Sequence, residues 1–160
     1  QGITTSVPII VYCREKHLDE ETLYRALVFS NLCTIHEKTG IGRLSAFCGA
    51  VCAATSVGVT LTYLKGGTLE QIGNTIRNTF ANISGIVCDG AKTTCALKIH
   101  TSLQSAFLAS KLALRGKTYD ANTGILKGSC ESTIDAIGIL GKEGMKETDK
   151  IILNIMLEKE

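Results

Sequence analysis

Between Arg43 and Lys65 the chain runs for 21 residues, Leu44 to Leu64, without a single charge. That length reaches the threshold for spanning a bilayer. Its composition points elsewhere. Ala, Gly, Cys and Val dominate over Leu, Ile and Phe, and Ser45, Thr55, Ser56, Thr60 and Thr62 interrupt the run. A segment apolar on every side and rich in small residues is expected at the centre of a helical domain, where neighbouring helices approach it closely. The chain has one Pro, no Trp, four Tyr and four Phe. Average usage would put about eight Pro in a chain of this length. Few breakers and few aromatics favour helices over a many-stranded sandwich. The expected fold is therefore mostly α, a single helical domain with a buried central helix. At 160 residues the chain is long enough to bury a core without disulfide or metal staples. A net charge of +2 with no Lys/Arg block gives no electrostatic footprint for nucleic acid. Neither a nucleic-acid nor a membrane partner is expected.

The flanking segments read as helices with punctuation. Asp19-Glu20-Glu21 opens a helix with acids in its first turn, and Leu23, Ala26, Leu27, Ser30 and Cys33 recur along it to about Lys38, with a stop near Gly40. A shorter helix before it is expected to start around Pro8. Lys65-Gly66-Gly67 ends the central helix. Thr68-x-x-Gln71 has the spacing of a capping box, followed by Leu69, Ile72, Ile76 and Phe80 on one stripe, ending near Gly85. A further helix is expected over Thr94–Leu114, then a loop or hairpin from Arg115 to Lys127. One or two helices follow from Ser129, with a break at Gly144 and a cap at Thr148. The opening Gln1-Gly2 reads like the middle of a loop, and the chain is expected to be part of a longer one.

Seven cysteines stand at 13, 33, 48, 52, 88, 95 and 130. An odd count fits poorly with a closed disulfide framework, so a reducing, cytoplasmic setting is expected. There, cysteines are either small buried hydrophobes or metal ligands. Cys88-x6-Cys95 encloses Gly90, which lets the backbone turn so that both sulfurs can face one cluster. As a bare spacing it is weak, and two unliganded core thiols satisfy it equally. Cys48-x3-Cys52 puts two thiols on one helix face, as half of a ligand set or as core. Cys13, Cys33 and Cys130 are isolated and read as core. The histidines, His17, His36 and His100, form no HExxH pair, and GxSxG, GxGxxG and Walker A patterns are absent. Zinc-hydrolase and nucleotide-site readings therefore lack support.

Several longer strings carry more information. Gln1-Gly2-Ile3-Thr4, Ile41-Gly42-Arg43-Leu44-Ser45-Ala46-Phe47-Cys48-Gly49, Gly85-Ile86-Val87-Cys88-Asp89-Gly90-Ala91-Lys92, Cys95-Ala96-Leu97-Lys98 and Gly144-Met145-Lys146-Glu147-Thr148-Asp149-Lys150 together resemble the L-cysteine desulfidase family. The α chain of iron–sulfur L-serine dehydratase is among its relatives. The resemblance covers essentially the whole chain and corresponds to the C-terminal, cluster-binding part of the family's longer chain. It implies a [4Fe–4S] cluster held by Cys48, Cys88 and Cys95, with Cys52 left as core. It implies β-elimination from a small L-amino acid: L-cysteine to pyruvate, ammonia and sulfide, or L-serine by loss of hydroxide. Around such a site Lys92, Arg43, Ser45, Asp89 and Gln1 are the expected substrate contacts, whereas Lys98 is expected to face solvent. No general base stands out. The expected partners are the amino-acid substrate, the N-terminal half of a parent protein or a separate subunit, and a second copy of the chain. A rival reading is a non-catalytic subunit domain holding a cluster, or zinc, on the same thiols.

Overall fold

The computed structural model describes residues 1–158. Within them lie seven α-helices: α1 (Gly2–Glu15), α2 (Glu20–Ile41), α3 (Gly49–Leu64), α4 (Leu69–Ile83), α5 (Cys95–Leu114), α6 (Cys130–Ile139) and α7 (Lys146–Leu157). A π-helical turn, Leu140–Gly144, joins the last two. The fold is mostly α, and its centre is α3, on which α1, α2, α4 and α5 all pack. Every residue of α3 from Val51 to Thr62 is buried. No described helix is long and apolar enough to cross a membrane.

A central helix so rich in hydroxyls needs partners for them in a dry core. Four bond back to the carbonyl one turn earlier: Thr55 to Val51, Ser56 to Cys52, Thr60 to Ser56 and Thr62 to Gly58, at 2.8–3.0 Å. Two of them also tie neighbouring helices together. Ser56 accepts from Thr34 of α2 at 2.9 Å, and Thr34 in turn meets Thr5 of α1 at 3.2 Å. On the far side, the Thr62 hydroxyl meets those of Ser110 of α5 and Thr75 of α4, both at 2.8 Å. The small residues do the rest: an ideal Cβ on Gly58 would lie 2.8 Å from the Ala106 carbonyl oxygen of α5.

Local signals fix the helix ends. Asp19 caps α2 by accepting from the Thr22 amide, and Thr68 and Gln71 form a reciprocal capping box on α4. Ser129 and Ser132 do the same for α6.

Four expectations need correcting. The uncharged run is not one helix: residues 44–48 are non-helical, with bends at Leu44 and Ala46, α3 begins at Gly49, and Leu44 is 93% exposed. The first helix starts at Gly2 and continues through Pro8, because the buried Thr5–Thr34 contact and the Ser30 hydroxyl on the Thr5 carbonyl hold its opening turns. Leu69 is not on the buried stripe of α4 but 85% exposed at its first position. Thr148 lies inside α7, whose first residue is Lys146.

The close α3–α5 approach makes a direct prediction. Gly58→Val should cost about 1–3 kcal/mol, the usual penalty for overpacking a filled core. The check is a lower urea midpoint with an unchanged slope. An unchanged midpoint would show that the helices can separate freely.

Candidate functional site

The cysteine-bearing segments are brought together by a minimal sheet. Phe47 and Val87 form an isolated antiparallel bridge. The Cys48 amide donates to the Ile86 carbonyl at 3.1 Å, and the Cys88 amide donates to the Ala46 carbonyl at 2.6 Å. Side chains alternate faces along extended backbone, so Cys48 and Cys88 share the face opposite Phe47 and Val87. They are diagonal neighbours on it, a relation that spaces residues by about 7–8 Å in antiparallel ladders. Ser45 locks the first segment: its hydroxyl donates to the Gly141 carbonyl at 2.6 Å and accepts from the Phe47 amide at 3.0 Å.

Cys95 arrives by a different route. After Cys88 the chain turns at Gly90, where φ is +85°, and enters α5 at Cys95. The turn closes on the sulfur itself. Cys95 Sγ accepts from the Lys92 amide and faces the Gly90 carbonyl, each at 3.4 Å. All three thiols line one cavity of ≈340 Å³. Cys48 is the N-cap of α3 and Cys95 the first residue of α5. Helix N-termini favour negative charge, and hence thiolate.

Three cations, Lys38, Arg43 and Lys98, also line this cavity, together with Gln1, and among the described residues the lining holds no carboxylate or imidazole. Lys98 corrects the expectation that it faces solvent. Its side chain is 20% exposed and its ammonium is held by the Asp89 carboxylate. That contact raises the Lys98 pKa and lowers that of Asp89. Burial raises the Cys48 thiol. The Ala50 amide opposes that, as does Lys98, while Cys88 and Cys95 push it further up. These mutual effects mark the three sulfurs and Lys98 as one electrostatic group.

The expected contacts divide accordingly. Gln1 and Arg43 line the cavity, Gln1 through a bond from its Nε2 to the Gly49 carbonyl at 3.3 Å. Ser45 lines it too, with its hydroxyl engaged in the frame. Asp89 acts on the cavity through Lys98, and Lys92 through its backbone amide, and neither side chain is part of the lining. Cys52 is fully buried core, as expected. No group of three or more His, Cys, Asp or Glu among the described residues is placed to hold a single metal ion.

Comparisons with known proteins bear on the family of the chain. Residues 1–154 match the family model of the serine dehydratase alpha chain. The chain belongs to that family. Close relatives of this serine dehydratase alpha-chain member carry the name UPF0597 protein. They include proteins of Desulfitobacterium hafniense, 52% identical over 99% of this chain, Lachnoclostridium phytofermentans, 50% over 98%, and Treponema denticola, 49% over 99%. The chain spans only about 37–38% of the length of these relatives. No solved structure matches it.

Next to the site lies a buried acid that the sequence did not flag. Glu37 is 1% exposed, and neither carboxylate oxygen has a hydrogen-bond partner. Burial pushes its pKa well above the ordinary carboxylate range. Burial and then Glu37 push the Cys33 thiol to about 12, and the same two causes raise Cys52. In the unfolded chain Glu37 ionises as pH rises past its ordinary value, while the folded chain keeps the proton. Stability is therefore lost with rising pH across that window. Glu37→Gln should remove this slope. Its stability relative to the natural chain should improve steadily from about pH 4 to pH 7. A pH-independent difference in urea unfolding would contradict the assignment.

Proposed function

We propose that this chain is the cluster-binding part of an iron–sulfur lyase that catalyses β-elimination from a small L-amino acid, with L-cysteine as the leading substrate and L-serine, which the family's description favours, as the alternative. The observation that carries the reading is the convergence of Cys48, Cys88 and Cys95 on one cation-lined cavity. The donor set suits a [4Fe–4S] cluster. Three thiols rather than four would hold it, and the diagonal placement of Cys48 and Cys88 suits sulfurs on different irons better than a shared single ion. When bound, such a cluster would supply a Lewis-acidic iron without a protein thiolate, which polarises the leaving group.

The chain's own residues do the remaining work. Lys98, fixed by Asp89, and Arg43 would hold the substrate α-carboxylate by charge-assisted hydrogen bonds. Lys38 adds positive potential at the same wall. The helix N-termini at Cys48 and Cys95 set partial positive charge beside the two sulfurs. Phe47 and Ala46, both fully buried, back the thiols with an apolar wall. After Cβ loses its leaving group and Cα its proton, the aminoacrylate left behind hydrolyses to pyruvate and ammonia. The cavity lining offers no carboxylate or imidazole as proton acceptor. A longer parent chain or a second subunit, in a cytoplasmic setting, would complete the reaction.

Anaerobic reconstitution with iron and sulfide tests the ligand set. About four irons and four sulfides per chain are expected, lost in Cys48→Ala, Cys88→Ala and Cys95→Ala and retained in Cys52→Ala. Retention in any of the first three would remove that residue from the set, and zinc alone on the thiols would favour a non-catalytic subunit. Turnover of L-cysteine against L-serine by the reconstituted protein, combined with the remainder of a longer relative, ranks the substrates. In that assay Lys98→Met should raise KM by about 10-fold or more at unchanged iron content, the worth of a charge-assisted bond. An unchanged KM would take Lys98 out of the carboxylate site.

A further inference from the structure

Helix α2 is apolar on the wrong side. Its buried face is Ala26, Ser30, Thr34, Glu37 and Ile41, four of them small or polar. Its outward face carries Tyr24, Val28, Leu32 and Ile35, each 57–61% exposed. These recur every three or four residues, the spacing of a stripe meant for burial. The helix cannot roll to bury them, because Thr34 is bonded to Ser56 of α3 and Ser30 to the Thr5 carbonyl of α1. The adjoining helix α1 repeats the pattern with Ile3, Val7 and Val11 exposed.

The stripe is bordered by shaped surface. Along one stretch Val28 and Leu32 join Phe29 and Tyr63 in a groove of ≈490 Å³. At the other end Ile35 borders a groove of ≈360 Å³ that shares Gln1, Lys38 and Arg43 with the cysteine cavity. A polypeptide lying on α2 is therefore a neighbour of that cavity.

The comparisons say what is available to cover it. The relatives carry this chain as 36–38% of their length, so well over half of each relative lies outside it. We propose that the outward stripe of α2 is the docking face for that additional polypeptide, which presents an apolar surface to Tyr24, Val28, Leu32 and Ile35 and runs along them to the edge of the cysteine cavity. The proposal does not require the lyase reading, and its test reads neither iron nor activity.

The experiment compares two contexts. In one, the chain stands alone. In the other, it replaces the matching portion of the full-length Desulfitobacterium hafniense relative, to which it is 52% identical. Val28→Glu and Leu32→Glu should leave the melting temperature of the isolated chain within about 1 °C and lower that of the chimera by about 4 °C or more. Leu69→Glu, exposed at the start of α4 and outside these grooves, should change neither. Equal effects in both contexts would overturn the proposal, since the face would then stay in water. So would a concentration-dependent dimer of the isolated chain that Leu32→Glu dissolves, since a second copy would then hold the face. A second measurement needs no fusion. Co-expressed with the tagged remainder of that relative, the natural chain should co-purify with it and Leu32→Glu should not. Failure of the natural chain to co-purify, or equal retention of both, counts against docking at α2.

Discussion

Two hydrogen bonds hold the candidate site together. The reciprocal bonds of Cys48 and Cys88 to the carbonyls of Ile86 and Ala46 are the sole sheet-like pairing among the described residues. They join the segment that leads into α3 to the segment that leads away from α4. Without them Cys48 and Cys88 would be ends of separate connections. With them, both thiols lie on one face, and the Gly90 turn needs only to bring in Cys95. Burial protects the pairing. Ala46 and Phe47 are fully buried, and Ser45 fastens the same strand to the π-helical turn through Gly141. A backbone bond shielded from water is costly to leave unmade, so the pairing and the core around it enforce each other.

The electrostatic design follows from that frame. Thiols taken out of water resist ionisation, as Cys48 does. At Cys48 the Ala50 amide, at the helix N-terminus, and the ammonium of Lys98 counter the cost. Lys98 is itself kept in place by Asp89, which therefore shapes the cavity without lining it. The same economy appears in the core, where the hydroxyls of α3 are satisfied along their own helix and across to α2, α4 and α5. Glu37 departs from it, as do the unpartnered hydroxyls of Ser102 and Ser105: it is a buried acid with no partner, and burial favours its protonated form.

What could be read from the sequence is what local physics decides. The mostly α fold, the capping box at Thr68–Gln71, the helix start at Asp19-Glu20-Glu21 and the burial of α3 all follow from neighbours within a turn or two. The Cys-Asp-Gly-Ala-Lys string marked the turn before α5 through resemblance, and its Cys88 and the following Cys95 line the same cavity as Cys48. What escaped is what long-range pairing decides. Residues 44–48 look helical by composition, but their hydrogen-bond partners lie around Ile86, far along the chain. Lys98 looks like a solvent-facing helix lysine until Asp89, on the preceding loop, folds against it. Glu37 sits in a charged-looking stretch, His36-Glu37-Lys38, whose members point to different surroundings once α6 and α3 pack around α2. Leu69 carries the period of α4 yet precedes its buried stretch.

The central claim is that Cys48, Cys88 and Cys95, and no fourth cysteine, hold a cluster in this cavity. Mössbauer spectroscopy of the anaerobically reconstituted chain, with and without L-cysteine or L-serine, addresses it directly. Three thiolates on four irons leave one iron unlike the others, so about one quarter of the iron signal should shift on adding the substrate while the rest stays put. Four equivalent irons that ignore both amino acids would contradict the account.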